Sequence, residues 1–120
     1  FGQETDGTSY VLFPYTEKHS PYCGITGTRL FPKDYSMTPD DIGSKDFIAI
    51  VVSKKELDYD ALNRAITNSR QSTYVGKLKE ALANQRVTNV NFTASNTVAF
   101  NATTSDSQDV VGMVIEIDKR

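Results

Sequence analysis

The spacing of apolar and polar positions changes twice along these 120 residues, from an irregular β-like pattern to a helical one and back. Residues 1–5 and 8–13 are β-prone and flank Asp6-Gly7, the signature of a hairpin whose tight turn asks for positive φ at both central residues. A strand already under way at Phe1 leads us to expect a domain that begins upstream of this chain. Leu12-Phe13-Pro14 and Leu30-Phe31-Pro32 close two β-prone runs, residues 10–13 and 28–31, with the same apolar-aromatic-proline ending. Proline cannot donate to a sheet ladder, so each triplet is expected to stop a strand. Between them, residues 16–27 form a polar, turn-rich loop with the only histidine and the only cysteine. Residues 32–45 read as a second loop, in which Ser36 and Pro39-Asp40-Asp41 also fit the start of a short helical turn.

Residues 46–53 are the clearest central strand. Phe47-Ile48-Ala49-Ile50-Val51-Val52 has no polar side and is expected to be buried on both faces. From Leu57 the period lengthens. Asp58 suits an N-cap, and Ala61, Leu62, Ala65 and Ile66 share one helical face. Residues 67–72 are poor in helix formers and are expected to break the helix. A second helix carries Tyr74, Leu78, Ala81 and Leu82 inward, with Lys77, Lys79 and Glu80 outward. Two further strands follow, alternating at Val90 and Phe92 and at Val98 and Phe100, joined by a turn at Ala94-Ser95-Asn96. The last strand sets Val111, Met113, Ile115 and Ile117 against Gly112, Glu116 and Asp118, a half-buried pattern. The pattern predicts a single α+β domain over residues 1–120, mostly antiparallel and sandwich-like, with a helical pair before the last strands.

Composition narrows the class. Hydrophobic content of 38% with 23% charged residues is globular, and no apolar run is long enough to span a bilayer. A net charge of -2 gives no basic face for nucleic acid, and Lys54-Lys55 and Lys77 to Lys79 read as solvated surface. A single cysteine leaves no internal disulfide, so stability rests on packing. Asn91-Phe92-Thr93 and Asn101-Ala102-Thr103 match the glycosylation pattern, which threonine-rich strands produce by chance.

The candidate chemistry gathers in the first third. In His19-Ser20-Pro21-Tyr22-Cys23, imidazole and thiol are the parts of a cysteine nucleophile. Both lie in one short loop with no oxyanion-hole motif after them, so a structural loop with a buried thiol explains them more simply. His19 and Cys23 with Asp34, Asp40 or Asp41 have ligand types that suit zinc, but no paired ligand spacing holds a first pair. Residues 24–29, Gly-Ile-Thr-Gly-Thr-Arg, lack the lysine and the following helix of a phosphate loop, and Arg29 reads as a partner for a carboxylate. Tyr10, Tyr15, Tyr22 and Tyr35 offer area for stacking on a ligand or for an interface, against a plainer role in packing.

Ser9-Tyr10-Val11-Leu12-Phe13-Pro14, Leu30-Phe31-Pro32, Ile42-Gly43 and Asp46 through Ser53 with Leu57-Asp58 resemble bacterial domain of unknown function 4384 over about residues 8–58. Members of that family look like accessory modules, often C-terminal in longer proteins and beside caspase-like peptidase or kinase domains. The chain is similar to the version found in Bacteroides-type gut bacteria, where such proteins are often exported, which implies a periplasmic or cell-envelope setting. The resemblance brings no catalytic residues with it, and the helical pair and last strands read as a lineage-specific extension.

The reading that follows is a non-catalytic accessory or interaction domain without a cofactor, acting on a protein partner or on other domains of its own chain. Its expected working surface is Tyr15, His19, Tyr22, Cys23, Arg29 and Tyr35. An unpaired sheet edge at the strand of Phe1 is expected to favour a homodimer. A small glycan- or peptide-binding module using the same loop is the alternative, and a Cys23/His19 thiol enzyme the third.

Overall fold

The computed structural model describes residues 1–4, 6–14, 22, 42–94 and 98–119. Six strands and two helices follow in the order β1 (Gly2–Gln3), β2 (Ser9–Tyr10), β3 (Lys45–Ser53), α1 (Tyr59–Asn68), α2 (Tyr74–Leu82), a 3-10 turn (Ala83–Gln85), β4 (Val90–Ala94), β5 (Val98–Ala102) and β6 (Val110–Asp118). They form a four-stranded sheet in the order β2-β1-β3-β6 and a two-stranded ribbon β4-β5, every ladder antiparallel. The class is α+β, as the sequence pattern predicts. The layer packed on the larger sheet among the described residues is helical, where the pattern led us to expect a sandwich-like core.

The N-terminal hairpin forms, with a different turn. Glu4 N–H donates to the Thr8 carbonyl (2.8 Å) and Gly7 N–H to the Glu4 carbonyl (2.9 Å), so three residues make the loop. Of Asp6 and Gly7, only Gly7 takes a positive φ, 92°. Asp6 instead turns its carboxylate to accept from Thr8 N–H at 2.8 Å, which fixes the corner. That bond is also the main reason the Asp6 carboxyl lies below its ordinary range. β2 stops at Tyr10, three residues before Phe13, so Leu12-Phe13-Pro14 does not itself end a strand. Leu30-Phe31-Pro32 lies outside the described residues.

β1 is flanked on both sides. The Phe1 amine donates to the Ala49 carbonyl and Ala49 N–H donates to the Phe1 carbonyl, both at 2.9 Å. The strand of Phe1 is therefore not the sheet edge that the sequence pattern led us to expect. Among the described residues the edges are β2 and β6.

The helices cover one face of β3 and β6. Asp58 caps α1 through Ala61 N–H (3.0 Å), and Thr73 caps α2 through Gly76 N–H (3.0 Å). Ile66, Tyr74, Leu78 and Leu82 are buried against Ala49 and Val110, with Phe47, Val51, Leu57, Leu62 and Val114 packed around them. Ala65, placed on the inward face by periodicity, is exposed. α1 also runs through Thr67, where a break was expected. Thr67 is held because its Oγ1 accepts from Ser9 N–H at 3.1 Å, a tertiary bond that outweighs its weak propensity. Lys77, expected outward, is half-buried and reaches the Gly7 carbonyl at 3.4 Å.

Strand β3 is fully buried only at Ala49, on the helix face, and not on both faces as the apolar run led us to expect. Phe47, Ala49 and Val51 lie under the helices; Ile48 and Ile50 on the other face are half-buried, and Val52 is exposed. In β6 the burial alternates as expected, with Val111 buried and Met113, Ile115 and Ile117 half-buried against exposed Glu116 and Asp118. The register Ala49↔Val114 and Val51↔Gly112 puts Gly112 and Val114 under the helices, while Val111, Met113, Ile115 and Ile117 join Ile48, Ile50 and Val52 on the far face. Glycine at 112 is what lets α2 approach so closely that a polar-looking position becomes core. At the far end of the β3-β6 pair, Lys119 is almost fully buried. Its Nζ meets Asp46 Oδ1 at 2.8 Å and donates to the Ile42 carbonyl at 2.6 Å, tying down the entry to β3.

Candidate functional site

Of the six residues expected to form the working surface, Tyr15, His19, Cys23, Arg29 and Tyr35 lie outside the described residues, as do Asp34, Asp40, Asp41 and residues 24–29. Tyr22 is described and its ring is 72% exposed. The candidate surfaces below therefore come from the strands, helices and connections after residue 42.

The buried polar cluster is structural. Tyr74 donates its phenol to the Gly2 carbonyl (3.2 Å) and lies 3.2 Å from Ser9 Oγ, while Ser9 is bonded in turn to Thr67. The cluster ties the first hairpin to both helices. Burial raises the Tyr74 phenol above its ordinary value, so it stays a neutral donor.

A cavity of about 240 Å³ opens beside the end of β3, between Ser53, Lys55, Leu57, Gln85, Asp106 and Asp109. The Asp109 side chain is nearly buried, and Lys55 Nζ stands 3.4 Å from its Oδ2, an ion pair without hydrogen-bond alignment. Lys55 donates instead to the Asp106 carbonyl at 3.0 Å. That lysine closes the 105–109 turn. Among the described residues no group of three His, Cys, Asp or Glu side chains is placed to hold a metal. No helix among them is long and apolar enough to cross a membrane.

The ribbon β4-β5 is the most unusual surface. No charged residue occurs from Val87 to Ser105, and the register Val90↔Ala102, Asn91↔Asn101 and Phe92↔Phe100 sorts its side chains into two faces. One carries the Phe92 and Phe100 rings, tilted by 52° with centroids 6.0 Å apart, and Phe92 is 47% exposed. The other carries the exposed pair Asn91 and Asn101, which line a shallow depression of about 490 Å³ with Thr88, Asn89 and Thr103. The two glycosylation-like asparagines are thus opposite one another. Sequence reasoning identified these strands by their alternation but did not single out Phe92 and Phe100 as a surface. The available signal was the long uncharged stretch, which no buried strand pair requires.

No family model matches the chain, and no curated protein or solved structure is significantly similar to it.

Proposed function

We propose that this chain is a non-catalytic accessory domain that binds a protein partner or another domain of its parent chain, with the β4-β5 ribbon as a contact surface. The observation that carries this reading is the half-exposed Phe92 ring on a two-stranded ribbon without charge. Such a ribbon is marginally stable alone, and an aromatic pair on its surface gains from being covered. Aromatic anchors without surrounding charge are also the composition of interface centres. The resemblance of residues 8–58 to a family of accessory modules supports the same reading.

The test is capture of partners by the domain carrying its natural flanking residues, compared with Phe92→Lys and with Lys79→Ala as a surface control. A partner retained by the parent domain and the control but lost with Phe92→Lys supports the ribbon. Equal retention by all three removes the ribbon from the contact.

A second reading, a glycan- or peptide-binding module, is favoured by the exposure of the Tyr22 ring, since exposed aromatic faces stack well on such ligands. Loss of glycan-array or peptide binding on Tyr22→Ala with an unchanged fold is its expected result. Indifference to that change argues against it.

A further inference from the structure

Among the described residues the larger sheet ends at β6, and the alignment of β6 with β3 says how a further strand can pair with it. β3 pairs with β6 in unbroken register over nine residues, Lys45↔Asp118 through Ser53↔Val110. On its other side, among the described residues, β6 is engaged only at Val110, whose carbonyl accepts from Val87 N–H at 2.8 Å beside a parallel bridge to Arg86. Along a strand, alternate residues turn their backbone groups to the same edge. Since Val110 turns outward, so do Gly112, Val114, Glu116 and Asp118. The phase is confirmed from the far side of β3, where Ala49, opposite Val114, bonds to Phe1 and hence away from β6. Beyond Val110, the outward groups through Glu116 find no backbone partner among the described residues.

Natural edges are usually guarded by short length, lysine, proline, a bulge or a covering element. β6 has nine residues, none of them lysine or proline, and its register has no bulge. Its two acidic residues do not guard it either: Glu116 pairs with Lys45 on the neighbouring strand, and Asp118 stands 3.7 Å from the same ammonium.

We propose that a second copy of this chain pairs β6 to β6, antiparallel about a two-fold axis, joining two four-stranded sheets into one. The register follows from the geometry. Val110 is already occupied, so pairing runs over residues 112–118, and outward-turned residues must face outward-turned residues. Gly112 then lies opposite Asp118 of the second copy, Val114 opposite Glu116, and Ile115 opposite its own equivalent. Met113 faces Ile117 on the side of the sheet away from the helices, so the apolar stripe of one copy continues into the other. The ends are complementary in charge. Asp118 of one copy arrives beside Arg86 of the other, because Arg86 flanks Val110 just beyond Gly112. A one-residue slip would set outward groups against inward ones and break both matches. This surface is separate from the β4-β5 ribbon, so its failure leaves the reading of the ribbon standing.

Sedimentation of the purified chain up to about 100 µM, a range that detects dimers with Kd into the micromolar, is the first measurement. The expected result is a dimer. Glu116→Pro removes an outward-turned N–H at a sheet edge and a half-exposed ion pair with Lys45, which is worth little, so it is expected to stay folded by circular dichroism and to sediment as a monomer. In a Cys23→Ser background, Ile115→Cys is expected to form a disulfide between copies on mild oxidation, because directly opposed residues of a non-hydrogen-bonded pair bring their Cα atoms within disulfide range. Met113→Cys, displaced from the axis, is expected to crosslink far less. A chain that stays monomeric overturns the proposal. So does a dimer that survives Glu116→Pro and gives no Ile115→Cys crosslink, which would place the interface elsewhere.

Discussion

Gly112 lies under Leu82: a Cβ added to Gly112 would come within 2.6 Å of Leu82 Cδ1 and 3.2 Å of Leu78 Cδ2. Helix α2 rests on the sheet at this point, and both leucines are buried. Gly112→Ala is therefore expected to overpack the core and to destabilise by about 1–3 kcal/mol. Leu82→Ala leaves a cavity and is expected to cost about 2–5 kcal/mol. Combined, the two changes should cost less than their sum, since the new methyl enters space that Leu82 vacates. Urea unfolding of the single and double variants checks this, and strict additivity would mean the helix sits elsewhere.

The phenol of Tyr74 holds the first hairpin to the helices through Ser9 and the Gly2 carbonyl. Tyr74→Phe strands these buried partners and is expected to cost about 1–2 kcal/mol. A pH signature goes with it. Burial raises this phenol from its ordinary 10.0, so the folded state favours the neutral form. Its contribution is fully present below pH 10 and is lost as pH rises further. Stability of the parent chain should thus fall more steeply above pH 10 than that of Tyr74→Phe, measured by denaturant titration at matched ionic strength.

These two contacts mark where sequence was readable. Asp58 announced the start of α1, the stripe Tyr74, Leu78 and Leu82 announced α2, and the apolar run at 47–52 announced β3, because each signal is local. The alternation of β6 was readable too, since Val111, Met113, Ile115 and Ile117 are more buried than Glu116 and Asp118. Alternation finds two faces, but which one a helix covers was decided by the missing side chain at Gly112, and that depends on a helix thirty residues earlier. Thr67 was misread for a related reason, since its partner Ser9 is remote in sequence. Strand order was equally hidden: the pattern gives no sign that β1 lies between β2 and β3, or that β6 lies on the side of β3 away from β1. Of the residues expected to form the working surface, only Tyr22 falls among those described.

Ala83 ends α2 at φ 50° and ψ -130°, a region that suits glycine and strains any residue with a Cβ. Ala83 is exposed, so no packing is lost when its methyl is removed. Ala83→Gly is expected to stabilise the chain by about 1 kcal/mol, the relief of strain exceeding the added freedom of the unfolded state. A thermal midpoint raised by a few degrees is the corresponding observation. An unchanged or lowered midpoint would show that the turn at 83–85 relaxes without strain.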